Sequence, residues 1–233
     1  MAGDTGPVPS SSGTFGVFNL FFQKTRRLEH REHSVTDSHH PLPDPQTDGE
    51  ISVEVAIAER RSARAFEDSD LTEEEIGQLL WAMQGVTGDL VSRRAAPSAG
   101  GCHPLIVYVC RNNGVWRYQP QDHSLTRHRE GDHREALARA ALGQSFVAQA
   151  PAVFVVSAVF ERTTSRYGNR GRVRYVPMDA GHAAENLLLQ AVALDLAGVP
   201  VGAFDDGGVR RVLALPAEEE PLYLLPIGRP RER

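Results

Sequence analysis

The stretch from residue 105 to residue 118 sets the first limit on the fold. Residues 105–110 (LIVYVC) form a short apolar run rich in β-branched side chains, the pattern of a buried strand, and residues 115–118 can pair with it across Asn112-Asn113-Gly114. A hairpin makes an antiparallel pair, which argues against a purely parallel sheet. A second buried strand is expected over 152–160 and a short closing strand over 222–227, after Pro221. Helices alternate with these strands. Thr72-x-x-Glu75 makes a capping box ahead of Ile76, Leu79, Leu80 and Met83, which share one helical face. Val53, Ala56 and Ile57 sit at helical spacing up to Arg60, and 134–142 reads as a further helix. The longest helical stretch, 179–197, is apolar on several faces, as a deep core helix or a dimer-interface helix would be. The combination is an α+β fold, a central mixed β-sheet flanked by helices.

Two regions are expected along the chain. Residues 1–49 read as a disordered or extended N-terminal arm, because 1–14 are rich in Gly, Pro and Ser and Pro41-Leu42-Pro43-Asp44-Pro45 suits an extended linker. The apolar patch at 15–22 either packs on its own domain or reaches a partner subunit. Residues 50–233 form the globular domain. A formal net charge of −5 leaves no global basic field for nucleic acid or an anionic membrane. Two cysteines, Cys102 and Cys110, are too few for a disulfide framework and lack zinc-ligand spacing, so free thiols packed in or beside the strand and a cytoplasmic location are expected. No metal site is expected. The histidines at 123, 128 and 133 lie in a polar segment and read as solvated.

Three segments carry chemistry. Arg60-Arg61-Ser62-Ala63-Arg64 gathers three guanidiniums and a hydroxyl just past a helix, an anion-binding group or a solvated basic patch. Arg94-Ala95-Ala96-Pro97-Ser98-Ala99-Gly100-Gly101 makes a tight loop whose backbone can approach a flat ligand. Gly198-Val199-Pro200-Val201-Gly202-Ala203-Phe204 follows the long helix with small residues that leave backbone N–H groups accessible. Neither G-x-G-x-x-G nor G-x-x-x-x-G-K-[ST] occurs, which argues against a Rossmann dinucleotide site or a P-loop.

In this order, RRSARAF, RAAPSAGGCHPL, DAGHAAENLLLQA, GVPVGAFDD and PLYLLPIGRP resemble the SagB-type branch of the nitroreductase superfamily, over roughly residues 50–230. That branch includes FMN-dependent dehydrogenases that oxidise azoline rings in peptides. The resemblance implies a nitroreductase-like fold and an intertwined homodimer with FMN at its interface. It places Arg60, Arg61, Ser62 and Arg64 at the flavin's phosphate, ribityl chain and pyrimidine edge, where Arg64 would also stabilise the reduced anionic flavin. Arg229 matches a position that helps hold the phosphate. Pro97, Ser98 and Ala99 match the loop that reaches the other subunit's flavin, and Gly202 and Ala203 match the backbone beside flavin N5.

The resemblance also implies a catalytic pair, and here the chain departs from the pattern. Azoline-oxidising members carry Lys-Tyr ahead of the Gly-His helix; this chain has Arg166-Tyr167, and a guanidinium with a pKa above 12 is a poor general base. His182, in the Gly-His pair, reads as a helix-start residue bonded to nearby backbone. The function expected from the resemblance is nonetheless an FMN-dependent dehydrogenase acting on an azoline-type peptide or related natural-product intermediate; the alternatives are an NAD(P)H-driven reductase of nitro, quinone or dehydroamino-acid substrates and, from another class, a non-catalytic flavin-binding subunit of a modification complex. The expected partners are a second copy of the chain, a peptide or small-molecule substrate, and other biosynthetic enzymes.

Overall fold

The computed structural model describes residues 39–88 and 93–231. The patch at 15–22 and the disorder expected for 1–14 lie outside the described residues. In chain order the elements are β1 (His39–Pro41), α1 (Val53–Glu59), α2 (Glu73–Gln84), β2 (Leu105–Arg111), β3 (Gly114–Gln119), β4 (Ser124–Glu130), α3 (Arg134–Ala140), α4 (Phe146–Gln149), β5 (Ala152–Val159), α5 (Glu161–Tyr167), α6 (Val176–Ala193), β6 (Ala197–Gly198), α7 (Asp206–Leu213) and β7 (Glu219–Gly228).

The described strands form one sheet in the order β1-β4-β3-β2-β5-β7-β6. All its ladders are antiparallel, and a parallel pairing enters through the isolated bridge Ser62↔Gly198. The hairpin read at 112–114 is the β2–β3 turn, with Arg111 opposite Gly114. Residues 39–41 pair with β4 at the sheet edge, and Leu42 beyond them is buried, so the part of the arm that is described joins the main domain.

The apolar runs are unbroken because helices cover both faces of the sheet. From β2, Leu105, Val107 and Val109 enter one core with α2 and α6, while Ile106, Tyr108 and Cys110 enter a second with α3, α4 and α7. β5 divides in the same way, Phe154 and Val156 to the first core and Val153 and Val155 to the second. Period-2 alternation is therefore present but invisible in hydropathy. The Thr72 capping box forms as expected, its hydroxyl accepting from the Glu75 N–H and the Glu75 carboxylate accepting from the Thr72 N–H. Ile76, Leu79, Leu80 and Met83 are fully buried on the inner face of α2. Each such burial contributes about 1.5–3 kcal/mol, more than the cap's ~1 kcal/mol, so packing rather than capping holds this helix.

Glu219 is buried where β7 meets β5, accepting from Tyr108 Oη at 3.0 Å and Ser157 Oγ at 2.7 Å, with Arg117 at 3.9 Å. Burial, and then the adjacent carboxylate, push the Tyr108 phenol up, so it stays a donor. Ahead of α6 one turn opens to i→i+5 bonding over Gly171–Tyr175, where the Val176 N–H donates to the Gly171 carbonyl. Among the described residues no helix is long and apolar enough to cross a membrane.

The histidines at 123 and 128 differ from the solvated expectation. Residues 124–130 form a strand, which brings His128 against Tyr108 at 4.9 Å between ring centroids and within 2.8 Å of the Leu213 carbonyl. His123, in the turn before it, is half-buried and lies 2.8 Å from Tyr118 Oη; burial lowers its pKa. The segment is polar in composition, but a strand turns alternate residues inward whatever their polarity. His133 bonds the Glu130 carbonyl, three residues back.

Candidate functional site

The anion-binding segment is held by backbone. Past α1 it runs beside the end of β6, where the Ala63 N–H donates to the Gly198 carbonyl at 3.1 Å. It then meets the C-terminal residues, with Glu67 N–H to the Arg229 carbonyl and Arg231 N–H to the Ala65 carbonyl, both at 3.0 Å. Gly198 lets β6 lie this close to β7, because a Cβ there would fall 2.2 Å from Ile227 Cδ1 and 2.4 Å from the Pro226 carbonyl. Three of the five sequence motifs thus meet.

On this frame Arg61, Ser62 and Arg64 are exposed. Among the described residues neither Arg61 nor Arg64 has a carboxylate partner: Arg61 donates to the Ala58 and Arg60 carbonyls, and Arg64 sits 5.8 Å from the Phe146 ring centroid. The Ser62 hydroxyl makes no hydrogen bond there. Arg60 has a loose pair with Glu185 of α6 at 3.6 Å. Uncompensated guanidiniums beside a free hydroxyl fit a phosphate monoester. Arg229 is placed differently, since its guanidinium pairs with Glu75 Oε1 at 2.5 Å and so locks the C-terminal segment to the head of α2.

Gly202 and Ala203 are exposed on the loop that begins at Gly198, and nothing closer than Tyr223 at 3.9 Å would meet a Cβ on Gly202. Gln144 donates to the Ala203 carbonyl at 3.0 Å, and the Asp205 N–H donates to the Ala140 carbonyl at 2.8 Å. These bonds fix the loop from the α3–α4 side. Sequence reading missed Gln144 because its partner is 59 residues away.

The other expected residues assemble as a second group. Asp179, buried in the first turns of α6, accepts from Ser98 Oγ at 2.6 Å and from the Ala99 N–H at 3.3 Å. Ser98 Oγ in turn accepts from the His103 N–H at 3.0 Å. One buried carboxylate therefore shapes the loop, leaving Pro97 exposed and Ser98 and Ala99 half-buried. The sequence offers no local sign of this, as 80 residues separate Ala99 from Asp179.

The pair Arg166-Tyr167 closes over the same loop. Arg166 donates to the Gly100 carbonyl at 3.3 Å and lies 5.4 Å from the Tyr167 ring centroid. A Cβ on Gly100 would fall 2.4 Å from Tyr167 Oη. The tyrosine ring is braced edge-to-face by Tyr175, with centroids 5.0 Å apart. Arg166 thus acts here as a donor to backbone. His182 is exposed on α6.

Among the described residues no hydrogen bond or ion pair joins the first group to the second. Their contacts on α6 explain why: Asp179 and Glu185 are six residues apart, about 9 Å along the axis and roughly 240° around it. The two groups therefore address different faces of the long helix.

Cys110 is buried in β2, where burial pushes its thiol up, and Cys102 is half-buried at the end of the loop; neither is in a disulfide.

Comparisons with known proteins identify the family of the chain. The family model described as the nitroreductase family matches residues 57–229. A protein of Methanocaldococcus jannaschii with the provisional name nitroreductase MJ1384 is 42% identical over 194 residues, 81% of this chain and 94% of that protein. The trifolitoxin operon protein TfxC of Rhizobium leguminosarum bv. trifolii is 26% identical over 193 residues, which are 74% of this chain and 54% of that protein. Among solved structures, a provisionally named nitroreductase from Ralstonia eutropha superposes with a TM-score of 0.76 at 29% identity, covering 85% of this chain and 92% of that one. One from Anabaena variabilis gives 0.68 at 30% identity, over 77% of this chain and 38% of that one.

Proposed function

The chain belongs to the nitroreductase family of oxidoreductases, and from that premise we propose that it is an FMN-dependent enzyme, active as a homodimer, that reduces a small electrophilic substrate with electrons from NAD(P)H. The observation that carries this reading is the set of exposed groups on Arg61, Ser62 and Arg64, without carboxylate partners among the described residues, on a segment that pairs through Ser62 and Ala63 with Gly198, at the start of the strand-end loop that exposes Gly202 and Ala203. Arg60, Arg61, Ser62 and Arg64 would hold the phosphate and the polar edge of FMN, with Arg229 as an anchor of the segment beside them. When bound, FMN supplies a ring that accepts two electrons from one substrate and passes them to another.

The chain's own residues have three tasks in this scheme. Gln144 keeps the Gly202–Ala203 backbone in place, so that small residues leave room for a flat substrate. Asp179 holds the Ser98–Ala99 loop in its bound shape, which limits the entropy lost when the loop meets a ligand. Tyr167, braced by Tyr175, presents a phenol at that loop and can donate a proton to a reduced substrate.

A dimer accounts for the separation of the two groups, because a second copy can bring its 97–101 loop to the first copy's arginines. It also accounts for the exposed apolar side chains of Ile51, Val53, Val55 and Ile57 on and just ahead of α1.

A second reading is the dehydrogenation of an azoline-type peptide by a SagB-type enzyme, and similarity to TfxC favours it. It requires a base, which Arg166 cannot supply, so Tyr167 would have to take the proton. The discriminating experiment is anaerobic stopped-flow absorbance of the purified protein. Bleaching of an oxidised flavin band by NADH or NADPH supports the reductase, and bleaching by an azoline peptide alone supports the dehydrogenase. Absence of a protein-bound flavin band after incubation with FMN and removal of the unbound cofactor refutes both.

A further inference from the structure

Segment 161–175 is far more basic than its surroundings. It contains Arg162, Arg166, Arg170, Arg172 and Arg174 against a single acid, Glu161, in a chain whose net charge is −5. Arg172 is neutralised by Glu220 at 2.7 Å. Among the described residues the other four have no carboxylate partner. Arg162 and Arg166 also fall four apart in one helix, where like charges repel.

Two of these cations border the candidate site, and a third packs on the ring that braces Tyr167. Arg166 donates to the Gly100 carbonyl at 3.3 Å and Arg162 to the His103 carbonyl at 3.1 Å, in and just past the C-terminal end of the tight loop. Arg170 donates from Nε to Tyr175 Oη at 2.8 Å, with its guanidinium 5.6 Å from that ring's centroid. Guanidiniums held by backbone and rings lose little freedom when they bind. Exposed apolar side chains occur within the segment and just after it: Val173 is 65% exposed and Met178, in the first turn of α6, 48% exposed.

We propose that this segment is a recognition rim for organic anions, with Arg170 and Arg174 reading a carboxylate or phosphate while Val173 and Met178 cover the apolar body of the same molecule. The proposal rests on the reductase reading for what happens next, but binding itself does not. A bare inorganic ion would leave the apolar side chains unused. A nucleic acid would meet net negative charge beyond the rim.

The test is isothermal titration of the FMN-saturated protein with 4-nitrobenzoate, 4-nitrophenyl phosphate and the neutral 4-nitrobenzamide, at low and at high salt. At least one anion should bind roughly tenfold more tightly than the amide at low salt, and the ratio should fall towards one as salt screens the rim. Which anion gains more identifies the group read. The ratio should collapse in R170Q/R174Q and persist in R170K/R174K, which keeps the charges. Equal affinity of all three in the unaltered protein, or a preference that survives R170Q/R174Q, overturns the proposal. Failure of NAD(P)H to bleach the flavin would instead refute the reductase reading and leave these binding ratios standing.

Discussion

Gly100 and Gly101 form a matched pair of sites for testing how the loop supports Tyr167. Both have left-handed backbone, with φ of 62° and 65°, so alanine at either position carries a similar strain of about 1–2 kcal/mol. They differ in surroundings. Nothing lies within 4 Å of a Cβ on Gly101, whereas a Cβ on Gly100 would meet Tyr167 Oη at 2.4 Å, Arg166 at 3.0 Å and Tyr167 Cε2 at 3.2 Å. The phenol would have to retreat by about 1 Å, and Tyr175 braces its ring. Losing that edge-to-face contact costs about 0.5–1.5 kcal/mol. Equilibrium urea unfolding should therefore show G100A less stable than G101A by about 1 kcal/mol. In a Tyr167→Phe background, which removes the nearest atom, the difference should shrink. Turnover with NAD(P)H should fall in G100A well below that of G101A. Equal stability of the two alanine variants, or a difference untouched by Tyr167→Phe, would refute the contact as the cause.

Further outcomes are expected elsewhere. Arg64→Ala should weaken FMN binding by roughly tenfold or more, for loss of one charge-assisted contact worth about 1.5–3 kcal/mol, read by equilibrium dialysis; unchanged retention would remove Arg64 from the cofactor group. Asp179→Asn cannot accept from both Ser98 and Ala99, and a loss of about 1–3 kcal/mol should lower Tm by about 2–10 °C in a scanning calorimeter. Native protein should react with a thiol reagent at Cys102 and not at Cys110, whose thiol is raised by burial; peptide mapping that finds both labelled at equal rates would contradict the packing of β2. The Arg134 hydrogen bonds hold Asp132 below the usual carboxylate range, against the opposing effect of burial. That pair stabilises the fold at neutral pH, and its contribution disappears as pH falls through about 4 and below. Being partly exposed it is worth under about 1 kcal/mol, so the urea midpoints of wild type and Asp132→Asn should differ slightly at pH 6 and draw together as pH falls below the usual carboxylate range.

The sequence was most legible where one short signal decides a local outcome. The capping box at Thr72, the hairpin turn at 112–114 and the apolar runs at 105–110 and 152–160 are such signals, and each appears within a residue or two of its expected place. β4 was hidden by Arg127, His128 and Arg129, which reach the Trp116 ring and the Leu213 and Val212 carbonyls of α7. Arginine-rich composition likewise hid α5 and the wide turn after it. The candidate site was legible as an ordered set of motifs and illegible as a geometry. Nothing local connects Ser98 to Asp179 or Ala203 to Gln144, since such pairs form only when the fold is complete. The pairing of Arg229 with Glu75, 154 positions apart, is another case.

The wide turn over Gly171–Tyr175 holds one residue more than an α-helical turn would. Each residue of an α-helix advances the chain by about 100°, so this extra one fixes the bearing on which everything ahead of it joins α6. Deleting a single residue within it would let the helix close into regular winding and turn the segment ahead of it, Arg170 included, by about a quarter-turn relative to α6. A change of one codon, with no side chain altered at the tight loop itself, could thus re-aim the charged border of the site and alter which molecules are admitted.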